Sequence, residues 1–145
     1  MLTDIEIAQQ TKLENIKDVV KNLGITEDDL TVGSCVFSRK PGDGSAREQA
    51  ASCQRVLLGG ANIAKEYATK RYRSNLINWG MVPFVTNEEP DFSDDDYIFV
   101  PGIRNALETD MKSIPAYVIG SAVKQFTLRI EPLTDEEKET TINIR

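Results

Sequence analysis

The segment Gly42-Asp43-Gly44-Ser45-Ala46-Arg47-Glu48 sets small residues, a hydroxyl and a guanidinium at the start of a predicted helix. The first N–H groups of a helix lack intrahelical acceptors, point outward and carry partial positive charge. Arg47 adds a planar fork suited to a carboxylate, and the glycines, Gly44 included, let a ligand approach the backbone closely. The segment is thus an anion site in outline. Taken alone, a glycine-rich turn ending in serine is more often a simple helix N-cap, with Ser45 or Asp43 as the capping residue.

The chain has no histidine, which removes the commonest base near neutral pH and the commonest imidazole metal ligand. Its two cysteines, Cys35 and Cys53, are too few for a disulfide framework and are not spaced as a metal-binding pair, so they read as buried free thiols. No metal site is expected. The formal charge of -6 argues against a nucleic-acid partner, because counterion release needs clustered Lys and Arg. No stretch approaches the roughly 20 apolar residues that span a bilayer, and Met1-Leu2-Thr3-Asp4 lacks a basic region leading into an apolar one. The expectation is a cytoplasmic chain without a membrane partner.

Val32 to Ser38 is rich in β-formers and reads as a strand that feeds the turn residues Lys40 to Gly44. Ser45 to about Leu58 reads as a helix, with Gly59-Gly60 as its stop. Asn62 to Ala64 is a short strand, Thr69 to Trp79 a helix with Gly80 as its C-cap, and Met81 to Val85 a strand. The acidic run 87–96 is a solvated loop. Tyr97 to Val100 and Ala116 to Ile119 are strands, with a helical turn between them. Phe126, Leu128 and Ile130 alternate as in a half-buried strand, and Thr134 with Glu137 forms a capping box for a short charged helix.

At the N-terminus, Thr3 and Glu6 form another capping box, and Ile16, Val19, Val20 and Leu23 recur at helical spacing. An amphipathic helix over residues 3–23 is expected, followed by a turn of helix at 26–29. Mixed short strands and helices favour an α/β fold, a compact layered domain with a mixed sheet, preceded by that helix. The division expected is 1–30 and 31–145.

Pro41 to Ala51 is similar to the glycine-serine-serine-arginine-glutamate stretch of the C-terminal swivelling domain of aconitase-type hydratases. Ile63-Ala64-Lys65-Glu66-Tyr67-Ala68, Arg73-Ser74-Asn75-Leu76, Gly80 and Pro83-Phe84 follow that family's order and spacing. The resemblance covers about residues 33–135. It implies a swivelling β/β/α-type domain in which Ser45 is an alkoxide base and Arg47 a substrate-carboxylate ligand, with Gly44 and Ala46 beside them. Ala46 stands where the family's usual second serine would be.

The resemblance also implies a 4Fe-4S cluster held by three cysteines, which this chain's two cannot supply. The cluster belongs to a partner, a large subunit, and the ligand is a small hydroxy-polycarboxylate. The chain is then one piece of an active site, inactive alone. A non-enzymatic small-anion binding module or a structural module is the alternative reading. Residues 3–30 resemble the opening helix of formate tetrahydrofolate ligases, without the phosphate-binding loop those enzymes use.

Overall fold

Strand β1 (Ser34–Ser38), helix α1 (Arg47–Val56), strand β2 (Gly59–Ala64), helix α2 (Lys70–Asn78) and strand β3 (Val82–Val85) follow one another as two βαβ units. A second half supplies β4 (Tyr97–Phe99), α3 (Ile103–Glu108), β5 (Ile114–Ile119), β6 (Val123–Ile130) and α4 (Asp135–Asn143). The computed structural model describes residues 31–89, 91–94 and 96–143. The helix expected over 3–23, the turn at 26–29 and the ligase-like segment lie outside the described residues.

The six strands form one mixed sheet in the order β1-β2-β3-β6-β5-β4. β1, β2 and β3 are parallel, as helical crossovers require, whereas β6, β5 and β4 join antiparallel. The expected α/β class with a mixed sheet is what forms. β2 lies between parallel neighbours and hides Asn62, Ile63 and Ala64 almost completely. In β5, buried Ile114, Ala116 and Val118 alternate with half-buried residues. They meet Phe126 and Leu128 of β6, together with Phe84, Ile63 and Ala106, in the main core.

A second apolar cluster, Ala51, Tyr72, Leu76 and Met81, sits where α1 and α2 pack on each other. Helix α2 begins and ends as its sequence predicts. Thr69 Oγ1 accepts the Tyr72 N–H at 3.2 Å. At the other end the Gly80 N–H reaches Ile77 O at 2.7 Å and the Met81 N–H reaches Leu76 O at 2.9 Å. That pair of bonds is a Schellman closure, with its usual apolar contact between Met81 and Leu76. The Thr134–Glu137 capping box also forms: Glu137 Oε2 accepts the Thr134 N–H at 2.9 Å, and Thr134 Oγ1 accepts the Glu137 N–H at 3.2 Å.

Three expectations need correction. Gly59-Gly60 does not stop α1; the helix ends at Leu57, Leu58 takes the left-handed conformation at φ 62°, and both glycines begin β2. Gly59 is needed for close approach, since a Cβ there would lie 2.7 Å from Gln54 O and 2.8 Å from Met81 Sδ. The cap of α1 is neither Asp43 nor Ser45 but Ala46, which makes no side-chain capping bond. Cys35 and Cys53 are free but exposed, one on the edge strand β1 and one on the outer face of α1. Among the described residues, no helix is long and apolar enough to cross a membrane.

Candidate functional site

The loop between β1 and α1 is pinned by the start of α2. Gly42 adopts φ 93°, and its carbonyl accepts Thr69 Oγ1–H and Arg47 Nε–H, both at 3.1 Å. Upstream, Pro41 O accepts the Ala68 N–H at 2.9 Å, and Arg39 O accepts the Lys65 and Glu66 N–H groups at 3.2 Å. The loop is therefore held by backbone carbonyls rather than by its own side chains, and Ser45 remains exposed.

Behind the loop stands the Tyr72 ring. A Cβ on Gly42 would lie 2.5 Å from Tyr72 Cβ, so only glycine fits both the φ and the space. The Tyr72 hydroxyl in turn meets Gln54 Nε2 at 3.0 Å and Asn62 Nδ2 at 3.3 Å, tying α2 to α1 and to the buried strand β2. Gly42→Ala is expected to lower stability by about 2 kcal/mol through backbone strain and the Tyr72 clash. Urea denaturation of the variant checks this, and a loss below about 0.5 kcal/mol would mean that the loop relaxes freely.

Helix α1 obtains its missing cap from another helix. With its amide turned so that the carbonyl faces α1, Asn75 accepts the Glu48 N–H at 3.0 Å and donates to Arg71 O at 3.3 Å. The hydrogen-bond network assigns that orientation. Glu48 is the second helical residue, so Asn75 makes from α2 the bond that an Ser or Asp N-cap makes locally. Asn75→Ala is expected to cost about 1 kcal/mol, and Asn75→Asp, which keeps an acceptor, less; thermal unfolding of the two variants separates a capping role from simple packing.

Ser45, Ala46 and Arg47 line one open groove of about 410 Å³ together with Glu48, Gln49, Ser52 and Trp79. Gly44 precedes the lining and has nothing within 4 Å of where a Cβ would stand. Three of the four expected site residues are thus brought together, and four further ones join them. Glu48, Gln49 and Ser52 follow from one helix face and could have been found by spacing. Trp79 closes α2 and reaches the groove only through the packing of α2 on α1.

The arrangement favours binding one negative group. Arg47 Nε is committed to Gly42, which leaves its terminal nitrogens to a ligand, and no carboxylate pairs with Arg47 among the described residues. Lys65 is engaged elsewhere: its Nζ bonds Asn87 O at 3.2 Å and pairs with Glu89 at 3.2 Å. Tyr67 is not an alternative base, because burial first, and the neighbouring Tyr72 second, push its phenol well above the usual range. Its hydroxyl lies 3.2 Å from Asn62 O and 3.1 Å from Phe84 O, in a purely structural place.

Among the described residues no group of three or more His, Cys, Asp or Glu could hold a metal ion. With two separated cysteines in the whole chain, the residues present do not fit an iron–sulfur cluster. No protein-family model matches the chain. A curated relative does: the homoaconitase small subunit of Thermus thermophilus is 36% identical over 97 residues, which are 67% of this chain and 52% of that protein. The chain spans about half the length of this relative. Its similarity is therefore to the small subunit of an aconitase-type hydratase, over two thirds of its own length.

Proposed function

We propose that this chain is the swivel part, or small subunit, of an aconitase-type hydro-lyase, contributing Ser45 as base and Arg47 as carboxylate ligand. The rest of the active site, iron–sulfur cluster included, belongs to a large-subunit partner, so the chain alone is inactive. Its ligand is a small hydroxy-polycarboxylate. The observation that carries this reading is a serine hydroxyl at a helix N-terminus that is not spent on capping, beside a guanidinium in the same groove. A free serine is a poor base, and its alkoxide needs preorganised N–H donors of the kind a helix start supplies.

Backbone amide NMR of the full chain, titrated with propane-1,2,3-tricarboxylate, tests the binding half. Saturable shifts centred on Ser45 to Arg47 are expected, weakened about tenfold by Arg47→Ala, the loss of one charge-assisted contact. Absence of saturable shifts would sink the carboxylate role. A non-enzymatic anion-binding module is favoured by one feature, Ala46 in place of a second hydroxyl, and it predicts binding without hydration activity in any reconstituted complex.

A further inference from the structure

We infer that Thr69 is a positioning residue for Arg47: its hydroxyl fixes the Gly42 carbonyl, and that carbonyl fixes the direction of the guanidinium fork. This rests on the reading of Arg47 as the carboxylate ligand and names the residue that aims it. The Thr69 hydroxyl makes two bonds of opposite sense. Oγ1 accepts the Tyr72 N–H at 3.2 Å as the N-cap of α2, and its own hydrogen goes to the Gly42 carbonyl at 3.1 Å, since a carbonyl can only accept. The same carbonyl accepts Arg47 Nε–H at 3.1 Å. Both of its lone pairs are then in use, one toward α2 and one toward α1.

A bond at Nε lies in the guanidinium plane, so it sets that plane and with it the direction of the Nη1–Nη2 edge, the fork that takes both oxygens of a carboxylate. An arginine already held at Nε has less rotamer freedom to lose when a ligand arrives. The Gly42 joint also differs from the others that pin this loop. Arg39 O and Pro41 O are held by the backbone N–H groups of Lys65, Glu66 and Ala68, which side-chain truncation leaves in place. Among the described residues, Gly42 O is held by side chains alone, Thr69 from α2 and Arg47 from α1. Thr69 therefore couples the cap of α2 to the orientation of a residue on α1.

Two variants of the full chain test this by NMR. Thr69→Gly keeps most of the capping energy but has no hydroxyl, and Thr69→Ser keeps both bonds. With no ligand present and at mildly acid pH, the Arg47 Nε–H of Thr69→Gly should exchange with water about fivefold faster than in the native chain, the worth of one hydrogen bond. Thr69→Ser should match the native rate. Affinity for propane-1,2,3-tricarboxylate, read at the Ser45 to Arg47 amides, should fall about fivefold in Thr69→Gly and recover in Thr69→Ser. In an Arg47→Ala background Thr69→Gly should add less than about twofold, because the hydroxyl acts through Arg47. Unchanged Nε–H exchange in Thr69→Gly overturns the inference, and so does an affinity loss as large without Arg47 as with it. If the native chain does not bind the tricarboxylate, the carboxylate reading fails, and the Nε–H exchange alone decides the positioning.

Discussion

A complex reconstituted from a cluster-bearing large subunit and this chain carrying Ser45→Ala is expected to lose about 100- to 10,000-fold in hydration rate, the usual worth of a positioned base. Its thermal unfolding should not move. The two halves of that expectation come from the same geometry. Ala46 rather than Ser45 holds the N-cap position, and Asn75 supplies the bond to Glu48, so removing the Ser45 hydroxyl takes nothing from the helix. Were Ser45 a cap, alanine would cost about 1 kcal/mol of stability and leave activity nearly intact. Steady-state kinetics and a melting curve on one variant therefore separate the readings, and unchanged activity would end the proposal that Ser45 is the base.

Arg73→Ala should produce the largest loss of stability, about 3 kcal/mol, the cost of leaving two part-buried carbonyls without their charged donor. The side chain is 10% exposed and runs from α2 to the entry of α4. Its Nη2 donates to Glu131 O and Pro132 O, each at 3.0 Å. Nε lies 3.3 Å from Glu131 Oε2, an ionic contact whose angle does not make a hydrogen bond, and Nη1 lies 3.9 Å from Glu137 Oε1. Alanine would leave two carbonyls without donors and loosen Glu137, whose other oxygen closes the α4 capping box. Glu131 is more than half exposed, so its ion pair contributes little and the carbonyl bonds most. Arg73→Lys should recover only part of the loss, because a single ammonium cannot span both carbonyls and the carboxylates. Urea unfolding at neutral pH measures this, and a change under about 1 kcal/mol would show that the linkage between α2 and α4 is not structural.

The motif around Arg73 and Asn75 illustrates what a resemblance carries and what it does not. Both residues belong to a segment that resembles the hydratase family, yet neither lines the groove. Arg73 joins α2 to the C-terminal helix, and Asn75 stabilises the first turn of α1. Their part is to fix α2 against its neighbours, α4 and α1. Asn62 is similar: 1% exposed, it donates to the Tyr72 hydroxyl behind the loop.

Where a signal is local, it was readable. Thr69 and Gly80 bound α2, and Thr134 with Glu137 starts α4, because each rests on bonds between residues within a few positions of one another. The alternation of Phe126, Leu128 and Ile130 follows the two-residue period of a strand with one face in the core. The Gly59-Gly60 pair misled for a related reason: a helix stop and a close-packed strand start use the same residue, and only the proximity of Gln54 O and Met81 Sδ distinguishes them.

By itself the sequence determined the kinds of chemistry available to this protein: no imidazole, too few thiols for a cluster, and a hydroxyl and a guanidinium two residues apart at the start of a helix. It also determined the strand-loop-helix unit that carries them, through turn residues and periodicity that act over short range. Only the tertiary structure decided that Ser45 is free. The cap that would have occupied it comes from Asn75, 27 residues beyond Glu48, and no local pattern encodes a bond between two helices. Packing of α2 on α1 likewise decided that Trp79 faces the groove and that Tyr72 fills the space a Gly42 side chain would need. Those contacts depend on the sheet order that brings β2 and β3 side by side, which is a property of the whole fold.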